Sequence, residues 1–79
     1  MHLSTIAAED KLTQLADSEG FDTVMAMLEE ASVDSVSPGI CTNPGCDYTI
    51  EVEPDQEEGW CESCNQGTVA SALVLAGLI

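Results

Sequence analysis

The spacing of the cysteines constrains this chain more than any other feature. All four lie between Gly39 and Gly67, as Cys41-x4-Cys46 and Cys61-x2-Cys64, with fourteen residues between the pairs. Two close pairs, each on a turn and about a hairpin apart, are how a chain offers four thiolates to one tetrahedral ion. Asn43, Pro44 and Gly45 bend the first pair into a tight turn. Asn65, Gln66 and Gly67 loosen the chain after the second. Gly45 is expected to aim its N–H at a sulfur and so steady the ligand.

Other uses of the thiols fit the sequence less well than structural zinc. Two disulfides call for an export signal, and residues 1–10 carry neither a basic start nor an apolar core. A redox Cys-x-x-Cys calls for a βαβ setting that the pattern does not supply. Iron suits the same four thiolates and is not separated from zinc by spacing. The expected cofactor is one structural Zn2+ on Cys41, Cys46, Cys61 and Cys64. A closed site of that kind leaves no coordination position for a substrate.

Seventy-nine residues make one domain, too small to rest comfortably on an apolar core alone. Fifteen Asp and Glu stand against a single Lys11 and no Arg, a formal charge of −14. Four thiolates and a divalent ion would take that to roughly −16. Nucleic-acid binding works through Lys and Arg on phosphates, and anionic membrane surfaces attract the same residues. Direct contact with either is therefore not expected. A basic protein surface is.

Along the chain, residues 1–36 are expected to form a helical hairpin. A first helix over residues 4–17, capped near Ser4, places Ala8, Leu12, Leu15 and Ala16 on one stripe and stops at Gly20. In the second, Asp22 is the expected cap and Phe21, Val24, Met25, Leu28 and Ser32 the inward face. Met25 and Met27 read as core filler. Ser37, Pro38 and Gly39 are expected to end that helix and turn into the first cysteine pair.

Residues 39–67 are expected to form the metal-binding hairpin. Tyr48, Ile50 and Val52 alternate with Thr49, Glu51 and Glu53, and a return strand begins at Trp60. That arrangement gives the outer face and tip an acidic ridge of Glu51, Glu53, Asp55, Glu57 and Glu58, the candidate partner-binding surface. Its plainer reading is a solvated edge that resists aggregation. Glu53, Asp55 and Glu57 also make a weak candidate for a divalent cation.

Residues 68–79 are apolar nearly all round, with Thr68 as the expected cap of a buried helix. The run is shorter than the twenty or so residues that span a bilayer. A strand there would make a plain zinc ribbon, whereas a helix gives treble-clef-like order. Were residues 69–79 left uncovered, a homodimer would be the simplest remedy. The expected class is α+β: a small zinc-ribbon or treble-clef-like hairpin between a helical hairpin and a C-terminal apolar helix. Catalysis finds little footing. His2 is the lone histidine, at the terminus, and no phosphate-cradling glycine loop is present.

The stretch from Pro38 through Cys41, Cys46 and Thr49, with Glu51 to Gln56, Gly59 to Cys64 and the ending from Ser71 to Ile79, resembles small zinc-ribbon proteins of bacteria and their phages. That resemblance covers the C-terminal half. It implies four zinc ligands at the same cysteines, a cytoplasmic bacterial or phage setting, and no assigned activity. Two functions follow as expectations. One is a non-enzymatic acidic binding module, in its sharp form a phage DNA mimic of the anti-CRISPR or anti-restriction kind, acting on a basic nucleic-acid-binding complex. The other is an adaptor that binds through the apolar C-terminal helix.

Overall fold

The computed structural model describes residues 5–79, which form a small α+β unit. His2 and the Ser4 cap lie outside the described residues. Helix α1, Thr5–Ser18, turns Lys11, Leu12, Leu15 and Ala16 inward. Gly20 ends it at φ 81°. Phe21 N–H bonds to the Ala16 carbonyl at 2.9 Å and Gly20 N–H to that of Asp17 at 3.2 Å, the paired closure of a glycine-capped helix.

Helix α2, Val24–Ser32, starts one residue later than a cap at Asp22 would place it. Thr23 takes that place, and its hydroxyl accepts from Ala26 N–H at 3.1 Å. The inward face is Met27, Leu28 and Ala31, with Val24 partly buried; Met25 is 63% exposed and Ser32 lies outside. Of the expected face, Phe21, Val24 and Leu28 do pack on the core. Met27 is core and Met25 is not.

Four strands follow: β1 Ser37–Cys41, β2 Thr49–Val52, β3 Gly59–Cys61 and β4 Gln66–Ser71. They form one antiparallel sheet in the order β2-β1-β4-β3. The single hairpin expected to pair the strand at Thr49 with that at Trp60 is thus two hairpins, β1–β2 and β3–β4, whose inner strands join. The Ser37-Pro38-Gly39 turn is likewise a strand. Pro38 sits past the last β1–β4 pair, Gly39 with Ser71, so only β2 runs beside it. Gly39 is there for closeness: a Cβ would lie 2.8 Å from Val52 Cγ2 and 3.0 Å from Val69 Cγ1.

Of the C-terminal helix expected over 68–79, only Ala72–Leu75 is helical, and residues 68–71 belong to strand β4. β4 runs to Ser71, whose hydroxyl, and not that of Thr68, caps the four-residue helix α3, Ala72–Leu75. Val69 and Ala70 satisfy their backbones in the sheet, which is why an apolar run with β-branched residues extends here. Ile40 and Ala70 face the helices and join Leu12, Leu15, Met27, Leu73 and Leu75 in the main core. Cys41, Cys61 and Val69 form a second cluster with Tyr48 and Val52. The chain's own core takes in Ala70, Ala72, Leu73 and Leu75, while Leu78 and Ile79 remain exposed.

Candidate metal centre

Each hairpin carries one cysteine pair at its turn. Cys41 ends β1 and Cys46 lies in the loop to β2, closed by Cys41 N–H on the Tyr48 carbonyl at 2.9 Å. Cys61 ends β3 and Cys64 lies in the loop to β4, where Asn65 N–H returns to the Cys61 carbonyl at 2.8 Å. Gly45 at φ 78° and Asn65 at φ 55° supply the left-handed residues these tight loops need. The β1–β4 pairing then brings the two loops together. Thr42 ties them, its N–H and its hydroxyl both donating to the Thr68 carbonyl at 2.8 Å. Asn43 Nδ2 adds a bond to Gln66 Oε1 at 2.9 Å.

As a result the four sulfurs converge, all within 4.8 Å of one another. Cys41 Sγ is 3.9 Å from Cys64 Sγ, and Cys46 Sγ is 3.8 Å from Cys61 Sγ. A disulfide would need about 2.05 Å. Four sulfurs at about 2.3 Å from a central ion sit about 3.8 Å apart, the edge of the tetrahedron. The closest contacts therefore join a cysteine of one hairpin to one of the other, and the cluster could hold a metal ion. Cys41 and Cys61 are fully buried, Cys46 and Cys64 half-buried.

Polar groups already address the sulfurs. Thr68 Oγ1 lies 3.1 Å from Cys41 Sγ, and Cys64 N–H donates to Cys61 Sγ at 3.3 Å. The N–H expected from Gly45 comes instead from Cys64 in the second loop and from Tyr48 in the first. Tyr48's backbone N–H, helped by the neighbouring cysteines against burial, holds the Cys46 thiol down to about 7. At Cys64 the Asn43 side chain pulls downward, but the adjoining sulfurs and burial push the thiol up to about 11. Crowded thiols that share protons behave this way, and a metal replaces the protons. Burial, then the negative charges of Glu62 and Cys61, raises the Tyr48 hydroxyl.

Sequence reasoning missed Lys11. Only 6% exposed, its Nζ donates to the Asn43 carbonyl at 2.8 Å and the Cys46 carbonyl at 2.6 Å. The signal was present: Ala8, Lys11, Leu12 and Leu15 run at i, i+3, i+4 and i+7, which places the lysine inside the apolar stripe.

Glu51, Glu53, Asp55, Glu57 and Glu58 are all exposed. Glu51 lies on edge strand β2, while residues 53–58 cross to β3 over the end of β4, so the acid sits on a crossover and not a hairpin tip. Among the described residues, the cysteines alone gather metal-ligating atoms this closely; Glu53, Asp55 and Glu57 do not. Trp60, on edge strand β3, is 58% exposed between Glu58 and Glu62. No described helix is long and apolar enough to cross a membrane. No family model, curated protein or solved structure matches the chain.

Proposed function

We propose that this chain is a zinc-stabilised, non-enzymatic protein-binding module whose acidic surface docks on a basic one. The observation that carries this reading is the placement of charge. The chain's only Lys or Arg side chain, Lys11, is buried, so no lysine or arginine interrupts the carboxylates facing solvent. A field of one sign on a folded scaffold steers toward a partner of the other sign. Two cysteine loops on joined hairpins are a zinc-ribbon-like way to fix such a surface, and closed thiolate coordination suits a structural ion. In its sharp form the module is a DNA mimic. Glu51, Glu53, Asp55, Glu57 and Glu58 stand in for phosphates and occupy the channel of a nucleic-acid-binding complex in the bacterial cytoplasm, in a phage setting.

The adaptor alternative loses ground, because Ala72, Leu73 and Leu75 are buried in the protein's own core and only Leu78 and Ile79 of that run stay well exposed.

The test is a DNA-cleavage assay on a panel of restriction endonucleases and CRISPR effector complexes, run with the purified protein across a salt series. Inhibition should fade steeply with salt and be lost when the five carboxylates become amides. Equal inhibition by that variant, or insensitivity to salt, rejects the mimic. Deleting residues 76–79 should leave inhibition intact, and its loss there would favour the adaptor.

A further inference from the structure

We propose that Lys11 is the counter-cation and anchor of the metal centre, a positioning residue that offsets the charge of the four thiolates and holds the Cys46 loop in ligating shape. The inference rests on the metal–thiolate reading above.

A buried ammonium is costly unless it is paired and hydrogen-bonded. Fifteen carboxylates are on offer in this chain, yet among the described residues none lies within 4.0 Å of a cationic side chain. Lys11 instead spends two donors on carbonyls, Asn43 and Cys46, at 2.8 and 2.6 Å. Both belong to the loop that presents Cys46, and Gly45 between them holds a left-handed φ of 78°. The helix therefore grips one of the two loops whose shapes set a ligand.

The missing counter-charge has a natural source. A divalent ion with four thiolates is a net dianion, and the second carbonyl held by Lys11 is that of a ligating residue. Ligand sets of this kind depend on their surrounding hydrogen bonds and charges for affinity. One side chain thus does two things here. It ties α1 to the metal loop, which sits outside the main core, and it balances the centre electrostatically.

Three variants separate anchoring from charge: Lys11→Arg keeps both, Lys11→Gln keeps donors without charge, and Lys11→Met keeps neither. Each is loaded with zinc, and metal transfer to a chromogenic chelator is followed. Release should quicken about 10–100-fold for K11M, less for K11Q, and remain near the native rate for K11R. The same proteins loaded with iron report the charge directly. Reduction adds a negative charge to the centre, so K11M and K11Q should lower the reduction potential and K11R should not. A structural role alone would leave the K11Q potential where it was. Should K11M fail to fold, K11Q carries the decision. Matching release rates and potentials across the series overturn the Lys11 assignment alone. A native chain that takes up neither metal overturns the metal reading and this one together.

Discussion

The Ser71 hydroxyl donates to the Pro54 carbonyl at 2.5 Å, and so fastens the acidic crossover to the end of strand β4. The same oxygen accepts from Val74 N–H at 3.1 Å to cap α3, and Ser71 N–H reaches the Gln56 carbonyl at 2.9 Å. One fully buried side chain thus serves a loop, a strand end and a helix start. Ser71→Ala removes the cap and leaves the Pro54 carbonyl without its partner. We expect a loss of about 2 kcal/mol, read as a fall in melting temperature on the order of 10 °C in the metal-loaded protein. Ser71→Thr keeps the hydroxyl and should recover part of it. An alanine variant that melts with the native protein would show the tether to be idle.

Gly39 makes a second, sharper case. Its absent Cβ would lie within 3.1 Å of Val52 Cγ2, Val69 Cγ1 and the Ala70 carbonyl oxygen together. Backbone on one side and two branched side chains on the other leave little room to yield. Gly39→Ala should cost about 1–3 kcal/mol by overpacking, measured by denaturant unfolding of the loaded protein. Gly20→Ala meets no atom but is strained at φ 81°, so it should cost about 1 kcal/mol through the helix cap alone. Equal costs would mean that crowding at Gly39 is relieved elsewhere.

These two residues also show how far the sequence could be read. The cysteine spacing announced a four-sulfur cluster, because ligand geometry fixes which residues must meet whatever the path between them. Helix α1 was legible from its stripe and its glycine cap. The sheet order was not. Ser37, Pro38 and Gly39 carry the composition of a turn, yet Gly39 is selected by the close approach of β2 and β4, a tertiary fact with no local signature. Residues 68–71, Thr-Val-Ala-Ser, fit a helix or an interior strand equally well; pairing with β1 decides for the strand. The face of α2 is set by packing on α1 and α3, which turns Met27 and Ala31 inward in place of Met25 and Ser32. Lys11 stayed hidden because a charge inside a stripe reads as an interruption until its carbonyl partners are seen.

Metal removal should weaken the sheet sharply. The β2 and β3 edges are short, and the second cluster of buried side chains consists of two cysteines and Val69, with Tyr48 and Val52 beside them. Structural zinc supplies on the order of 10 kcal/mol in domains of this kind. Native mass spectrometry should therefore find one zinc per chain, and chelation should lower the melting temperature steeply. Cys61→Ser, at a fully buried candidate ligand, should bind no zinc at neutral pH and melt with the chelated chain. Visible absorption of the purified protein would indicate iron instead. A metal-free chain lighter by the hydrogens of two disulfides would remove the thiolate centre from consideration.

The uneven thiols set the pH dependence of metal uptake. Ligation needs thiolates, so protons compete with metal and affinity falls as pH falls. Cys46, held down to about 7, crosses from thiolate to thiol within the neutral range. At pH 8 it is about one-tenth protonated and at pH 6 about nine-tenths, so each metal bound should displace about 0.8 more proton from Cys46 at the lower pH. Cys64, pushed up to about 11, is protonated at both values and gives up a whole proton in each case. Affinity should therefore steepen in its fall below pH 7. Calorimetric titration in buffers of differing ionisation enthalpy counts the protons at pH 6 and pH 8. Equal release at the two would mean that the backbone N–H of Tyr48 does not favour the Cys46 thiolate before metal arrives.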